Sequence, residues 1–396
     1  MGATPTEPTL FETFYSLFEG IHLPIINWRL GTWEAYLTAG MFLILILVNA
    51  LFALTTWYTY MERRLLGRFQ GRVGPNRTGP FGLLQPIADA IKLLTKEDIL
   101  PIAADRWVFN FAPIVMMAPT FLLLAVIPFG TYNFLTDLNI GILYIAAISS
   151  IGAVAVLMAG WASANKYAMF GSMRAIAALV SYEIPVMIAL LGVVISTGSM
   201  SLVDTVVNQR IPLMIVQPLG FLIFLVGISA ELNRTPFDLT EAESEIIAGF
   251  HTEYSGMKFG AFYLAEFGNL LIASALITIL FLQGWKGPWI PAPFWFLAKI
   301  FVVAFVFIWI RATLPRLRID QVLSFAWKFL LPLSLINVTA LSLQKLLWPD
   351  PSTLDLLLIS GINWVITIIG IFVFGYILSK QKTSYTAPFP LRINPQ

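Results

Sequence analysis

Long apolar runs recur along the chain, separated by short polar connections. A helix needs roughly 20 mostly apolar residues to cross a bilayer, and nine stretches fit that length. They are Tyr36–Tyr60, Trp107–Phe129, Ile142–Ala162, Ala178–Ser196 and Leu213–Ala230, then Phe259–Leu282, Phe294–Ile310, Phe325–Leu343 and Leu356–Ser379. Backbone polar groups in lipid must hydrogen-bond within their own segment, so the pattern predicts helices. The expected fold is an all-α integral membrane protein with about nine transmembrane helices.

A different periodicity fills the first long connection. From Phe81 to Lys96, Leu84, Ile87, Ile91 and Leu94 repeat at helical spacing, with Gln85, Asp89, Lys92 and Lys96 on the opposite face. Such a helix is too short to span and is expected to lie along the membrane surface, as an anchor or as the wall of an interfacial site. The preceding GRVGPNRTGP is rich in Gly and Pro and reads as a shaped turn.

Charge placement orients the chain. Of its 24 basic residues, 19 fall in connections on one side of the predicted bundle: Arg63 to Arg106, Lys166 and Arg174, Arg234 and Lys258, Arg311 to Lys328, and the tail. Only Arg29, Arg210, Lys286 and Lys345 fall on the other side, and Lys299 lies within the seventh span. The positive-inside rule then expects the N-terminus outside and the C-terminus in the cytoplasm. The chain divides accordingly into an extracytoplasmic segment 1–35, a membrane domain 36–379 and a cytoplasmic tail 380–396.

Against this background the stretch Ala230–Gly260 stands out. It carries Glu231, Asp238, Glu241, Glu243, Glu245 and Glu253 against only Arg234 and Lys258, and belongs on the cytoplasmic side. Carboxylates continue from it into the predicted spans. Glu183 lies just inside the fourth, Glu231 ends the fifth, and Glu266 sits on the order of 10 Å into the sixth at 1.5 Å per residue. Each alone reads equally well as an end-of-helix carboxylate reaching water. Three converging at one depth read as a one-sided acidic funnel, and intramembrane acids mark ion or proton paths. Lys299, near the far end of its span, has a stem long enough to snorkel. Ile246, Ile247, Phe250 and Tyr254 give the loop an apolar surface suited to docking a soluble partner.

Composition narrows the chemistry. Charged residues make up 12% of the chain, about half the soluble average of roughly 25%. A net charge of +2 gives no footprint for nucleic acid. The absence of cysteine excludes disulfides and thiolate-held Fe–S or metal sites within the chain. His22 and His251, its only histidines, have no metal-binding spacing. No phosphate loop, dinucleotide fingerprint, nucleophile elbow, internal repeat or cleavable signal is evident, and Glu7, Glu12 and Glu19 stand where a signal would be basic.

Four stretches together resemble a known family: ERRLLGRFQGRVGPNRTGPFGLLQPIADAIKLLTKED, GWASANKYAMFGSMRAIAALVSYE, AELNRTPFDLTEAESEIIAGFHTEYSGMKFG and RATLPRLRIDQVLSFAWKFLLPLSL. They are similar to the quinone-site membrane subunit of respiratory complex I, the bacterial H subunit equivalent to mitochondrial subunit 1. The resemblance runs from about Tyr58 to Asn337, leaving the first 35 residues and the tail uncovered. It implies a cofactor-free subunit of a proton-pumping NADH-quinone oxidoreductase in the inner (plasma) membrane. NADH, FMN and Fe–S clusters would lie in partner subunits. Partners would be the hydrophilic quinone-chamber subunits and the small and antiporter-like membrane subunits, with ubiquinone or menaquinone as substrate.

By the same resemblance Glu62, Arg63, Arg64, Asp89, Lys92, Lys96, Arg234 and Asp238 would line the quinone entrance and chamber. Glu183, Glu231 and Glu266, with Glu241, Glu243 and Glu245 at the mouth, would form the glutamate path. Arg174, Lys258 and Lys299 would be charge partners. Some relatives have an acid in the third span where this chain reads Ser149-Ser150, so a relay there would need water. Glu266 in AEFGN, which plastid relatives lack, favours the NADH-type bacterial form. Two alternatives stay open: the equivalent subunit of a ferredoxin-linked or hydrogenase-type relative, and a stand-alone secondary transporter, which usually shows repeats and broken helices.

Overall fold

The computed structural model describes residues 10–19, 22–23, 28–29, 32–131, 135–239, 246–349 and 351–382. The fold is an all-helical membrane bundle. A short helix α1 (Leu10–Phe18) and a two-residue antiparallel pairing, His22 opposite Arg29 and Leu23 opposite Trp28, precede it. Among the described residues, eight helices are long and apolar enough to cross a membrane.

The first, α2 (Thr32–Phe69), has 38 residues, on the order of 57 Å at 1.5 Å per residue. It therefore outruns the bilayer and carries Glu62, Arg63 and Arg64 on its projecting end. A 3₁₀ turn at Pro80–Gly82 leads into α3 (Gln85–Thr95), the expected amphipathic helix. Its apolar positions Leu84, Ile87, Ile91 and Leu94 are exposed, while Asp89, with Gln85 beside it, turns toward α2. That inversion is the arrangement expected of a helix with lipid on its outer side.

The next crossings are α4 (Arg106–Leu124), the pair α5 (Gly141–Ser149) and α6 (Ile151–Ala162), and α7 (Lys166–Thr197). Asp105 and Asn165 cap α4 and α7 through backbone N–H groups. The third crossing is interrupted at Ser149 and Ser150, whose hydroxyls both turn back to the Ala146 carbonyl. Pro185 in α7 withholds the N–H that would bind the Ser181 carbonyl, loosening the helix beside Glu183.

The fifth crossing differs from the single span expected over Leu213–Ala230. It is built from α9 (Leu213–Val216) and α10 (Pro218–Glu231), broken at Gln217, with α8 (Leu202–Asn208) before it. Pro218 has no N–H and holds Gln217 away from helical geometry at φ −132°, ψ 69°. The carbonyls freed by the break are taken up by the last crossing: Ser360 Oγ donates to Ile215 O at 2.8 Å and Asn363 Nδ2 to Val216 O at 2.7 Å.

The remaining helices are α11 (Gly256–Phe281), α12 (Ala292–Thr313), α13 (Ile319–Phe325) running through a π turn (Ala326–Leu330) into α14 (Leu331–Leu347), and α15 (Thr353–Lys382). In α11, 83% of the most apolar window is buried, against at most 50% in the other spanning helices, so α11 is the axis of the bundle. Small residues bring the helices close, as lipid-embedded bundles require. A Cβ at Gly227 of α10 would stand 2.1 Å from Val186 Cγ2 of α7.

Gly171 of α7 plays the same part against the loop after α10, since a Cβ there would lie 2.6 Å from Gly249 Cα. The obstacle is backbone, so Gly171→Ala must push the loop off α7. A loss of about 1–3 kcal/mol is expected, read as a lower thermal unfolding midpoint of the solubilised protein; an unchanged midpoint would contradict this contact.

Candidate functional site

The projecting end of α2, the turn after α10 and the ends of α11 and α12 converge on one buried ion cluster. Its centre is Arg234, 4% exposed. The turn from Ala230 to Arg234, closed by Asn233 N–H to Ala230 O and Arg234 N–H to Ser229 O, swings this side chain back into the bundle. Arg234 Nη1 donates to Glu62 Oε1 at 2.6 Å, and Nε lies 3.0 Å from Glu266 Oε1. The guanidinium rests on the Phe267 ring at 4.7 Å. Arg311, from the end of α12, also donates to Glu62 Oε1.

Two carboxylates and two guanidiniums thus neutralise one another where a lone charge would be expensive. Burial alone would push the Arg234 guanidinium toward deprotonation, and the Glu266 and Glu62 carboxylates more than reverse it, so its pKa moves up. Beside this cluster Arg316 Nη2 meets Asp238 Oδ2 at 3.1 Å, and Leu317 N–H donates to Pro236 O, tying the α12–α13 connection to the acidic stretch.

One cavity is lined by the cluster and a second lies beyond it. The first, of about 520 Å³, is lined by Arg234, Asp238, His251, Glu266 and Arg311 among aromatic side chains. The other, of about 1110 Å³, is mostly apolar and carries Glu183, Glu231, Ser149, Ser150 and Asn269. Asn233 and Met116 line both. Asn233 takes a left-handed backbone, φ 50°, at the bend between Glu231 and Arg234.

In the larger cavity the serines at the break in the third crossing share the space with the two acids. Ser150 Oγ, whose one proton is shared with the Ala146 carbonyl, meets Glu183 Oε1, and Ser149 and Glu231 line the same space. Thr120 Oγ1 donates to Asn269 Oδ1 at 2.7 Å nearby.

At the interface, Arg63 of α2 pairs with Asp89 of α3, and Arg64 reaches Tyr60 and the Phe81 carbonyl, the latter at 3.0 Å. Lys92 and Lys96 stay exposed on α3. Lys258 pairs with Asp98 at 2.7 Å, and Ser255 Oγ accepts from Ile99 N–H and donates to Glu97 O. These contacts clamp the segment after α3 to the end of the acidic stretch.

The structure therefore brings together Glu62, Arg234 and Glu266 in the ion cluster, with Asp238 beside it, and Glu183 with Glu231 in the cavity. Arg63 and Asp89 form a separate pair at the interface. Arg174 is half-buried on α7. Lys299 is placed differently from a carboxylate partner: its ammonium donates to the carbonyls of Leu282, Gly284 and Lys286 at 2.7–2.8 Å and caps the far end of α11. Glu241, Glu243 and Glu245 lie outside the described residues. Arg311 and Arg316 complete the ion pairing, although charge placement marks them only as two of the cytoplasmic basic residues; the RATLPRLR motif is the signal that could single them out. Among the described residues no group of three metal-ligating side chains is assembled.

Comparison with known proteins places the chain in a family. A family model described as NADH dehydrogenase matches residues 41–342. The chain is 58% identical over 306 residues to the H subunit of NADH-quinone oxidoreductase from Dehalococcoides mccartyi (strain CBDB1), covering 77% of this chain and 86% of that protein. It is 51% identical to the H subunit of Geobacillus kaustophilus, over 76% and 92% of the two chains, and 48% identical to that of Syntrophotalea carbinolica, over 74% and 92%. The chain belongs to the NADH dehydrogenase family, in the branch formed by the H subunits of NADH-quinone oxidoreductase.

Proposed function

We propose that this chain forms the membrane wall of a quinone chamber in a proton-pumping NADH-quinone oxidoreductase and carries the carboxylate path that couples quinone reduction to proton movement. The single observation that carries this reading is the Glu62–Arg234–Glu266 cluster, which joins the end of α2 to a cavity that shares Asn233 and Met116 with the one holding Glu183 and Glu231. Quinone plus two electrons and two protons gives quinol. The electrons come from Fe–S clusters of partner subunits supplied by NADH through FMN. The names of the curated relatives favour this donor over the ferredoxin-linked or hydrogenase-type assemblies.

The membrane-surface helix α3 and the end of α2 frame the doorway for an amphiphilic quinone, and hydrophilic chamber subunits dock on the acidic side. The small and antiporter-like membrane subunits pack against the lipid-facing helices. By the basic-residue asymmetry, segment 1–35 lies outside, and the acidic loop and tail 380–396 lie in the cytoplasm of a cell whose inner (plasma) membrane holds the complex. Glu241, Glu243 and Glu245 belong at the chamber mouth.

Within the path, a negative charge developing on the quinone draws the Arg234 guanidinium and weakens its hold on Glu266. Glu266 then gains a proton from the chamber side. Asn233 lines the cavities of both that acid and Glu231, which exchanges protons with Glu183 through the serine hydroxyls and water. Two carboxylates lining one mostly apolar cavity beside serine hydroxyls are placed to pass a proton between them as their surroundings change.

Glu183→Gln and Glu231→Gln each remove a titrating group and keep its shape. In the assembled complex reconstituted in vesicles, proton release per electron should fall to a small fraction of wild type; pumping unaltered in both variants would sink the relay. Arg63→Ala unties α3 from α2, and because the pair is partly exposed it is worth at most ~1 kcal/mol. The expected effect is about a fivefold weaker quinone reduction, with reduction of an artificial acceptor by the cytoplasmic arm unchanged.

A further inference from the structure

On the half of the bundle remote from the acidic stretch, the described parts of the helices that carry Glu183, Glu231 and Glu266 hold no further carboxylate, yet this half is not apolar throughout. Neutral amides collect at the break in the fifth crossing. Asn363 of α15, besides capping Val216 O, exchanges hydrogen bonds with Gln344 of α14, Nε2 to Oδ1 at 2.7 Å and Nδ2 to Oε1 at 3.1 Å. Those amides are satisfied. Two others beside them are not.

Gln217, at the break itself, is 0% exposed, and Asn337 of α14 is 4% exposed. Among the described residues, Gln217 Nε2 and Oε1 and Asn337 Nδ2 have no hydrogen-bond partner. Both side chains point into the same place. A Cβ on Gly192 of α7 would stand 3.2 Å from Asn337 Nδ2 and 3.4 Å from Gln217 Oε1, and one on Gly220 of α10 would stand 3.0 and 3.5 Å from the same atoms. Two glycines thus keep the flanking helix surfaces bare where the amides converge.

A buried polar atom left unpaired forfeits its hydration with no return, so three at one spot call for a ligand. The group that fits accepts from N–H donors and donates to a carbonyl oxygen. A metal cation fails the first requirement and an inorganic anion without a proton fails the second. Water meets both and takes 2–4 polar partners when buried.

The position gives the water a use. Gly192 lies nine residues along α7 from Glu183, on the order of 14 Å, and the lining of the glutamate cavity reaches Leu190 and Phe224, near Gly192 and Gly220. We propose that Gln217 and Asn337 bind one or two buried water molecules at the break, and that this water extends the route of the Glu183–Glu231 pair toward the far face of the membrane. The second half of this statement rests on the glutamate relay proposed above; the first half does not.

The test is a map of the assembled complex sharp enough to show ordered water, together with proton release per electron in vesicles. Wild type should show density within hydrogen-bonding distance of both amides. In Asn337→Leu that density should vanish and proton release per electron should drop, with Glu183 and Glu231 untouched. Gln217→Met, which keeps the volume and removes both polar atoms, should give the same two losses and serves if Asn337→Leu does not assemble. Amides bonded directly to each other with nothing between them, or a wild-type proton ratio in the assembled variant, would overturn the proposal. Normal pumping in Glu183→Gln would remove the relay and leave the density at Gln217 to be judged by itself, so the two failures are distinguishable.

Discussion

Everything at the functional end of this protein depends on holding Arg234 charged inside the bundle. A buried guanidinium is tolerable only when opposite charge and hydrogen bonds surround it. Glu62 comes from the first crossing and Glu266 from the central one, with Arg311 from the seventh completing the set. Arg234, from a connecting turn, thereby ties the first crossing to the central one, and Glu62, which it shares with Arg311, ties in the seventh. Removing any member leaves a charge without its counterpart, a loss of several kcal/mol in comparable buried pairs. The same balance makes the cluster sensitive: an added negative charge nearby redistributes Arg234 between its two carboxylates.

The cavities extend that sensitivity into the membrane. Asn233 lines both the space around Glu266 and the space around Glu231, so the cluster and the acid pair are neighbours without being one site. Breaks in the helices supply the polar groups that lipid-embedded segments otherwise hide. Ser149 and Ser150 interrupt the third crossing where the acids need hydroxyl partners. Gln217 and Pro218 interrupt the fifth, where α15 compensates the freed carbonyls.

The spans, the surface helix and the three membrane glutamates are legible in the sequence because each rests on local information: hydrophobic length, helical periodicity, or a charge inside an apolar run. The ion cluster is only half legible. Glu62 and Arg234 carry the family motif, but the bond from Glu62 to Arg311 closes over 249 residues and no local pattern reports it. In sequence, Ser149 and Ser150 read as a missing acid, whereas in three dimensions Ser150 meets Glu183 and both serines line the cavity of Glu183 and Glu231. Lys299 reads as a charge partner, and its three carbonyl contacts depend on how the connection after α11 turns back. The dipeptide Gln217-Pro218 does carry a signal for the broken fifth crossing. A continuous apolar count hides it, because neutral amides hardly change hydropathy.

If the Arg234 cluster couples the two sites, quinone reduction changes the protonation of the Glu183–Glu231 pair. Infrared difference spectra of the assembled complex, quinone-reduced minus oxidised, measure that change at the carboxyl C=O stretch. A redox-linked band that disappears in Glu231→Gln, and is diminished in Arg234→Met, is the predicted result. Spectra in which neither variant alters the carboxyl region would contradict it.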